Sequence, residues 1–195
     1  TALACLALFV CTAMIYASIR FLQEWASPLT LINYLLLGCA SGLMLATALA
    51  ALSGLTALIP HYAVLAAGFT VAAWVTRSLS LLRNARLRPQ STLQSAIGIK
   101  HPRIVQKAQG FLGGSFNTRE FFHGRSPEML VSGKWGFLRM TFPLPLACMA
   151  LGVVAASTEM LVIACVAQYL GLLAERWFFF AQANHPQNLY YQNIS

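Results

Sequence analysis

The sequence contains no aspartate, and charged residues of every kind are scarce. Of 195 residues, 9% are Asp, Glu, Lys or Arg, against roughly 25% in an ordinary soluble domain. Five glutamates face thirteen Lys and Arg, and 58% of the chain is hydrophobic. This composition excludes a water-soluble globule, a disordered chain and a soluble nucleic-acid-binding domain. It predicts an integral membrane protein.

The first residues lack the features of a secretory signal peptide. They show no basic region followed by a short apolar core, and residue 1 is Thr rather than Met. Residues 1–21 instead form an apolar stretch of spanning length. We therefore expect the numbering to begin inside a longer protein.

Five apolar segments are long enough to cross a membrane, and they predict an all-α fold because lipid cannot satisfy exposed backbone groups. They cover residues 1–21, 28–52, 55–79, 137–157 and 160–181. Three helices thus occupy residues 1–79 and two occupy residues 137–181. A long polar insertion, residues 80–136, lies between them, and a polar tail, residues 182–195, follows.

The basic residues are distributed unevenly about these predicted spans. If five helices thread the membrane alternately, all thirteen fall on the side that holds the insertion and the tail. The positive-inside rule identifies that side as the cytoplasm. We expect a multi-pass protein of a bacterial inner membrane with a cytoplasmic insertion and C-terminus.

The five cysteines and four histidines form no metal-binding pattern. The cysteines lie in apolar segments without CxxC spacing, so we expect packing residues and no disulfide. Only His61 lies near a predicted span, whereas a membrane haem needs histidines that face each other within helices. We expect neither haem nor metal in this chain.

Two pairs of polar residues near span ends are candidates for a binding pocket. Glu175 lies about 9 Å inside the last span. Either it forms an interfacial ion pair with Arg176 beside Trp177, or Glu175 and Arg176 line a pocket in which the carboxylate exchanges protons. Tyr16 and Arg20, four residues apart, are predicted to share one helix face. They are candidates to bind the head group of an amphipathic ligand, or else an interfacial tyrosine and an orienting arginine.

Aromatic and aliphatic residues are interleaved with the cations of the insertion. This pattern suits docking onto a cytoplasmic protein or lying on anionic lipid. RNA binding is a weaker third interpretation, since stacking aromatics on a basic loop are a generic signal. We favour protein docking and expect no nucleic-acid partner. The docking candidates are Arg103, Lys107, Phe116, Arg119, Phe121, Phe122, His123 and Arg125.

Three segments resemble one protein family. The run from Tyr16 to Arg20, with Trp25-Ala-Ser-Pro-Leu-Thr30, resembles a middle segment of the membrane anchor subunits of dimethyl-sulfoxide-reductase-type molybdoenzymes. The run Gly171-Leu-Leu-Ala-Glu-Arg-Trp-Phe-Phe-Phe180 is similar to the last helix of these anchors. Residues 113–124 of the insertion are most similar to the branch found with cytoplasm-facing sulfite dehydrogenases.

The resemblance implies an anchor with eight spanning helices and no haem, of which this chain supplies the last five. It implies a site for menaquinone or ubiquinone near the face that docks an iron–sulfur subunit. A molybdopterin catalytic subunit lies beyond that partner. The helices in which the family usually carries its main quinone-linked residues precede this chain. Tyr16, Arg20, Glu175 and Arg176 carry over as candidate wall residues of the quinone pocket, and the insertion as the docking surface.

The favoured function is therefore a non-catalytic anchor that passes electrons from sulfite oxidation to quinone, with the molybdenum cofactor and the iron–sulfur clusters in partner subunits. The alternatives are an anchor of the dimethyl sulfoxide reductase type that oxidises quinol, a small-solute transporter, and a scaffold with no part in electron transfer. A transporter would need polar residues at mid-membrane depth on several helices. The polar residues at this depth are too few for that role and are uncharged: Asn33, Thr47, Thr70 and Gln168.

Overall fold

A computed structural model of the chain describes residues 2–88, 92–104 and 127–183. Within these ranges the regular structure is helical, as the sequence predicts. The α-helices are α1 (Ala2–Ala17), α2 (Pro28–Leu52), α3 (Ile59–Ala85), α4 (Leu93–Ile97), α5 (Pro127–Thr141), α6 (Pro143–Val154) and α7 (Thr158–Ala181). A 3-10 turn, Thr56–Leu58, precedes α3.

Four segments of the described chain are long and apolar enough to cross a membrane. They are Pro28–Leu52, Thr56–Ala85, Glu128–Val154 and Thr158–Ala181. The first predicted span, residues 1–21, contains the 16-residue helix α1 followed by a turn. The helices that border the insertion extend into it, since α3 continues to Ala85 and α5 begins at Pro127.

Two of the spanning helices begin at serine caps that the sequence carries. The Ser27 hydroxyl accepts a hydrogen bond from the Leu29 N–H at 3.2 Å, and Pro28 occupies the first turn of α2, where no N–H is needed. Ser157 caps α7 in a similar way, accepting from the Met160 N–H at 3.3 Å.

Helices α5 and α6 form one span with a break at Phe142. Pro143 and Pro145 have no N–H, so the carbonyls of Arg139 and Thr141 lose their helical partners. Helix α6 restarts at Pro143, and the Leu146 N–H bonds the Phe142 carbonyl at 3.2 Å. The break leaves the Thr141 carbonyl available to another helix.

Small residues let the helices pack closely. Helix α2 packs against α1, α3 and α7, and α7 packs against α5 and α6. Side chains as small as alanine at helix contacts allow the helices to approach closely. In a membrane this matters because burial of apolar surface contributes little free energy to helix association. Many large apolar side chains point outward instead: Val154 is 88% exposed and Leu3 is 82% exposed. One buried cluster contains Met44, Ala63, Ala66, Met149, Leu161 and Ala164, and a second contains Leu37, Ala73, Phe137, Phe142 and Phe178.

One end of the bundle gathers the turn of residues 18–27, the C-termini of α3 and α7, and the N-terminus of α5. We call this the basic end. The Trp25 indole N–H donates to the Phe179 carbonyl at 3.0 Å, which joins the turn to the end of α7. The Arg83 guanidinium donates to the Gln23 carbonyl at 3.0 Å, which joins the same turn to the end of α3. Helix α5 is antiparallel to α7, because Gly133 faces the Trp177 ring and Thr141 faces Gly171.

Helix α7 approaches the break at Phe142 closely because residue 171 is glycine. A Cβ at this position would lie 2.6 Å from the Met140 carbonyl carbon and the Thr141 nitrogen, which are backbone atoms. We expect Gly171→Ala to lower the free energy of unfolding by about 1–3 kcal/mol, as overpacking typically does. Thermal unfolding of the detergent-solubilised protein measures the change.

Gly68→Ala on α3 is the matched control. A Cβ there has no neighbour within 4 Å. Alanine is a better helix former than glycine, so this variant should be neutral or more stable by up to about 1 kcal/mol. Equal losses in the two variants would contradict the close contact at Gly171.

Candidate functional site

A buried ion pair joins α3 to α7 near the basic end. The Arg77 Nε atom lies 2.8 Å from Glu175 Oε1, and the two side chains are 2% and 1% exposed. The approach is a close ionic contact rather than an aligned hydrogen bond. Removing Glu175 would leave the Arg77 charge uncompensated inside the bundle, which is strongly unfavourable.

Arg176 binds the other oxygen of the same carboxylate. Its Nη2 atom lies 3.0 Å from Glu175 Oε2, and its Nε–H donates to that oxygen at 3.1 Å. The Arg176 side chain is 32% exposed, so it extends from the buried pair towards the surface. Glu175 therefore bridges two arginines, and the three side chains carry a net positive charge when all are ionised.

Aromatic rings enclose the outer arginine. The Arg176 guanidinium lies 4.2 Å from the centroid of the Tyr34 ring and 5.0 Å from that of Phe179. Tyr16 stacks on Tyr34 with centroids 6.0 Å apart, and Trp25 stacks on Phe179 at 5.2 Å. Cation–π contacts of this kind hold a guanidinium in place while its edge stays available to other acceptors. Arg77, Glu175, Arg176, Tyr34 and Tyr16 together form what we call the carboxylate–arginine cluster.

The turn of residues 18–27 is held beside this cluster by α3. Arg83 donates to the carbonyls of Gln23 at 3.0 Å and Ala26 at 3.3 Å, and Asn84 Nδ2 donates to the Glu24 carbonyl at 3.4 Å. These bonds satisfy backbone carbonyls that have no helical partner, which fixes the position of Trp25.

Two terminal guanidinium nitrogens in the cluster have no hydrogen-bond partner among the described residues. They are Nη2 of Arg77 and Nη1 of Arg176, and both atoms are buried. An unpaired buried donor is unfavourable unless an acceptor reaches it. The cluster therefore has the capacity to bind a carbonyl or anionic oxygen.

The structure brings together three of the four predicted pocket residues. Tyr16, Glu175 and Arg176 meet through Tyr34. Arg20 does not join them, because α1 ends at Ala17 and the four-residue helical spacing from Tyr16 is lost. Its side chain is exposed in the following turn.

Of the eight docking candidates, the described residues include Arg103 alone. Arg103 is exposed, and its backbone N–H donates to His101 Nδ1 at 3.1 Å. Lys107, Phe116, Arg119, Phe121, Phe122, His123 and Arg125 lie outside the described residues.

Two members of the cluster, Arg77 and Tyr34, do not follow from sequence reasoning. From its position in the sequence, Arg77 is counted among the cations beside the insertion that orient the protein. In the structure it lies eight residues before the end of α3 and is buried. A signal for it is present in the sequence: a carboxylate placed inside an apolar span requires a cation at the same depth. Tyr34 carries no comparable signal, since it is one aromatic residue in an apolar helix.

A second polar contact joins α3 to α7 deeper in the bundle. Gln168 Nε2 donates to the Thr70 hydroxyl at 3.2 Å and approaches the Thr141 carbonyl, freed by Pro145, at 3.5 Å. Nearby, the Thr76 hydroxyl donates to Asn33 Oδ1 at 2.7 Å. These mild polar residues of the spans thus serve as partners for one another.

Comparison with known proteins identifies the family. Among the described residues, no group of three or more His, Cys, Asp or Glu side chains is placed to hold a metal ion. The sequence model of the family described as DMSO reductase anchor subunit (DmsC) matches residues 1–100, just over half of the chain. The chain belongs to the DmsC family.

A curated relative of this DmsC-family chain covers nearly all of it. This relative, a sulfite dehydrogenase subunit from Allochromatium vinosum, is 52% identical over 193 residues, which are 99% of this chain and 59% of that protein. The chain thus spans about three-fifths of the length of that relative. No solved structure matches the chain. The resemblance to molybdoenzyme anchors, and to the sulfite dehydrogenase branch among them, is confirmed.

The buried ion pair of this DmsC-family chain can be tested by stability. We expect Arg77→Gln to lower the free energy of unfolding by about 1–3 kcal/mol, because the contact that joins α3 to α7 is lost while Glu175 keeps Arg176 as a partner. Arg86→Gln, at the exposed end of the same helix, should change it by no more than about 0.5 kcal/mol. Thermal unfolding in detergent compares the two. If both variants unfold alike, the pair does not stabilise the fold.

Proposed function

We propose that the chain is the membrane anchor and quinone-reactive subunit of a multi-subunit molybdenum oxidoreductase that oxidises sulfite and reduces quinone. The observation that carries this proposal is the 52% identity, over 99% of the chain, to a protein named as a subunit of sulfite dehydrogenase. Membership of the DmsC family of anchor subunits supports the anchoring role. The catalytic chemistry would then belong to a molybdopterin subunit, and an iron–sulfur subunit would bring the electrons to this chain.

The basic end is the proposed docking side, and we assign it to the cytoplasm. The described Lys and Arg of the spans lie towards this end, as the positive-inside rule requires of the cytoplasmic side. The insertion leaves from α3 and returns through α5, whose adjoining ends both lie there. An iron–sulfur subunit bound to the insertion would therefore sit beside the carboxylate–arginine cluster. Its proposed contacts are Arg103, Lys107, Phe116, Arg119, Phe121, Phe122, His123 and Arg125.

The carboxylate–arginine cluster is the proposed wall of the quinone site. Quinone bound there accepts two electrons from the partner and two protons. Arg176 Nη1 has no hydrogen-bond partner in the described part of the chain, and the side chain is partly exposed, so Arg176 is the group that would donate to a carbonyl oxygen and stabilise the charge that develops on it. The Tyr34 ring, on which Tyr16 stacks, holds this guanidinium in place. Both Glu175 oxygens contact arginines, so we assign Glu175 as the residue that positions Arg176.

Arg176→Gln tests the quinone site while leaving the Arg77–Glu175 pair in place. We expect the rate of quinone reduction by sulfite to fall about tenfold or more. Loss of one donor that stabilises developing charge lowers the catalytic rate constant of an enzyme by roughly 10²–10³ when the donor is well placed. The rate with a soluble dye that takes electrons directly from the partner subunits should not change. The comparison of the two acceptors separates quinone binding from assembly.

Glu175→Gln should reduce the same quinone rate, and Glu159→Gln is its matched control. Glu159 is an exposed carboxylate in the first turn of the same helix, at the opposite end from the cluster. Its replacement should leave the rate unchanged. An unaltered quinone rate in the Arg176 and Glu175 variants would remove the cluster from the quinone site.

Docking can be tested by replacing residues 105–126 with a flexible linker of the same length. We expect the molybdenum and iron–sulfur subunits to leave the membrane fraction, since the basic and aromatic contacts are lost. Fractionation followed by assays for the two metals detects this. Replacing Lys107, Arg119 and Arg125 by Gln should weaken retention and make it more sensitive to salt. Subunits that stay on the membrane in both variants would contradict docking through the insertion.

A second candidate function is supported by the description of the matching family, DMSO reductase anchor subunit. In that case the same site would oxidise quinol, and the partners would reduce a sulfoxide. Assaying the isolated assembly with sulfite and quinone, and separately with quinol and dimethyl sulfoxide, distinguishes the two directions.

A further inference from the structure

The outward face of α5 carries a cavity of about 450 Å³. It is lined by Val131, Ser132, Trp135, Gly136 and Arg139. These positions recur every three to four residues, so they lie on one side of the helix. The face is separate from the carboxylate–arginine cluster, which lies between α3 and α7 on the inside of the bundle.

The polar groups of this cavity are cationic or neutral. Arg139 and Ser132 are exposed, and the Arg139 side chain makes no hydrogen bond or ion pair with the described residues. The Lys134 ammonium lies 5.5 Å from the centroid of the Trp135 ring, which places a second cation beside the cavity. The acidic residue of this helix, Glu128, lies one turn before Ser132 on the same side and about 16 Å along the axis from Arg139, so Arg139 and Lys134 outnumber this one carboxylate. The cavity therefore complements a negative charge.

Its depth matches the boundary between head groups and hydrocarbon. Thr141 faces Gly171 and Gly133 faces Trp177, so Arg139 lies at about the height of residue 173, two turns inside the basic end. An arginine at this depth reaches the interface with its guanidinium while its stem stays in the apolar layer. The half-exposed indole of Trp135 is also typical of this level.

Below Arg139 the exposed face becomes apolar. Leu144, Leu151 and Val154 on α6 all point outward. From Arg139 to Val154 the helices extend about 22 Å, more than the thickness of one leaflet, about 15 Å. A cationic cavity on α5, followed along the chain by exposed apolar side chains on α6, fits a molecule with an anionic head and hydrocarbon tails.

We propose that this face is a binding site for one anionic phospholipid. Arg139 and Lys134 bind the phosphate, the Ser132 hydroxyl donates to it, and an acyl chain lies along α6. Gly136 has no side chain on this face and leaves room for the head group. The site is independent of quinone chemistry and of the insertion.

Native mass spectrometry of the assembly, purified in mild detergent from vesicles of phosphatidylcholine and phosphatidylglycerol, tests the site. We expect one phosphatidylglycerol to remain bound, and Arg139→Gln to weaken its retention about fivefold, the effect of one cation near an anionic lipid surface. Arg86→Gln removes an exposed arginine from the same end of the bundle and should not alter retention. Thermal unfolding of Arg139→Gln without added lipid should match the parent protein, which excludes misfolding as the cause.

Three results would overturn the site. One is equal retention of phosphatidylglycerol in the Arg139 and Arg86 variants. Another is equal retention of phosphatidylcholine and phosphatidylglycerol by the parent protein, which would show that the site does not select for the negative charge of the lipid head group. The third is a photo-crosslinking residue at position 132 that captures a polypeptide rather than lipid, which would show that a protein segment covers the face.

Discussion

A carboxylate that bridges two arginines inside a membrane bundle is the interaction on which the rest of this structure depends. Glu175 is buried, and each of its oxygens contacts a different guanidinium. On one side it links α7 to α3 through Arg77. On the other it holds Arg176 against the Tyr34 ring, around which Tyr16 and Phe179 assemble. Burial makes the charges interdependent, because none of them can be left alone in a medium of low dielectric constant.

The polar contacts specify an arrangement that apolar packing alone would leave open. Lipid tails are as apolar as leucine, so burial of leucine gives little preference for one helix neighbour over another. Hydrogen bonds and ion pairs have partners of fixed position. Thr70 pairs with Gln168 and Arg77 with Glu175, and both pairs are separated by the same number of residues, so α3 and α7 are parallel and in register. The proline break at Phe142 adds a third helix to this contact, because the carbonyl that it frees accepts from Gln168.

The sequence predicts how far along a spanning helix a residue lies better than it predicts which neighbouring helix its side chain faces. Hydropathy and the Ser27–Pro28 and Ser157 signals locate the spanning helices to within a few residues at most ends. The same reasoning gives Glu175 its correct distance from the helix end. It does not reveal Arg77 as the partner, because hydropathy says nothing about rotation about the helix axis or about which helices are neighbours.

The position of Arg20 shows a different limit. A shared face with Tyr16 requires α1 to continue through residue 20, but the helix ends at Ala17. The turn that follows is held by bonds to Phe179 and Arg83, which lie far away in the chain. Local secondary-structure propensities do not indicate contacts between residues that are so far apart in the sequence. The prediction of docking residues in the insertion concerns mostly positions outside the described residues.

The equal seven-residue spacing of the two α3–α7 contacts has an evolutionary consequence. Seven residues make nearly two full turns, so Thr70 and Arg77 face the same way. Gaining or losing a single codon between them would swing Arg77 roughly 100° around its axis and separate it from Glu175. Related sequences should therefore differ in this stretch by substitutions that keep its length constant. Insertions and deletions should accumulate in the connecting loops instead.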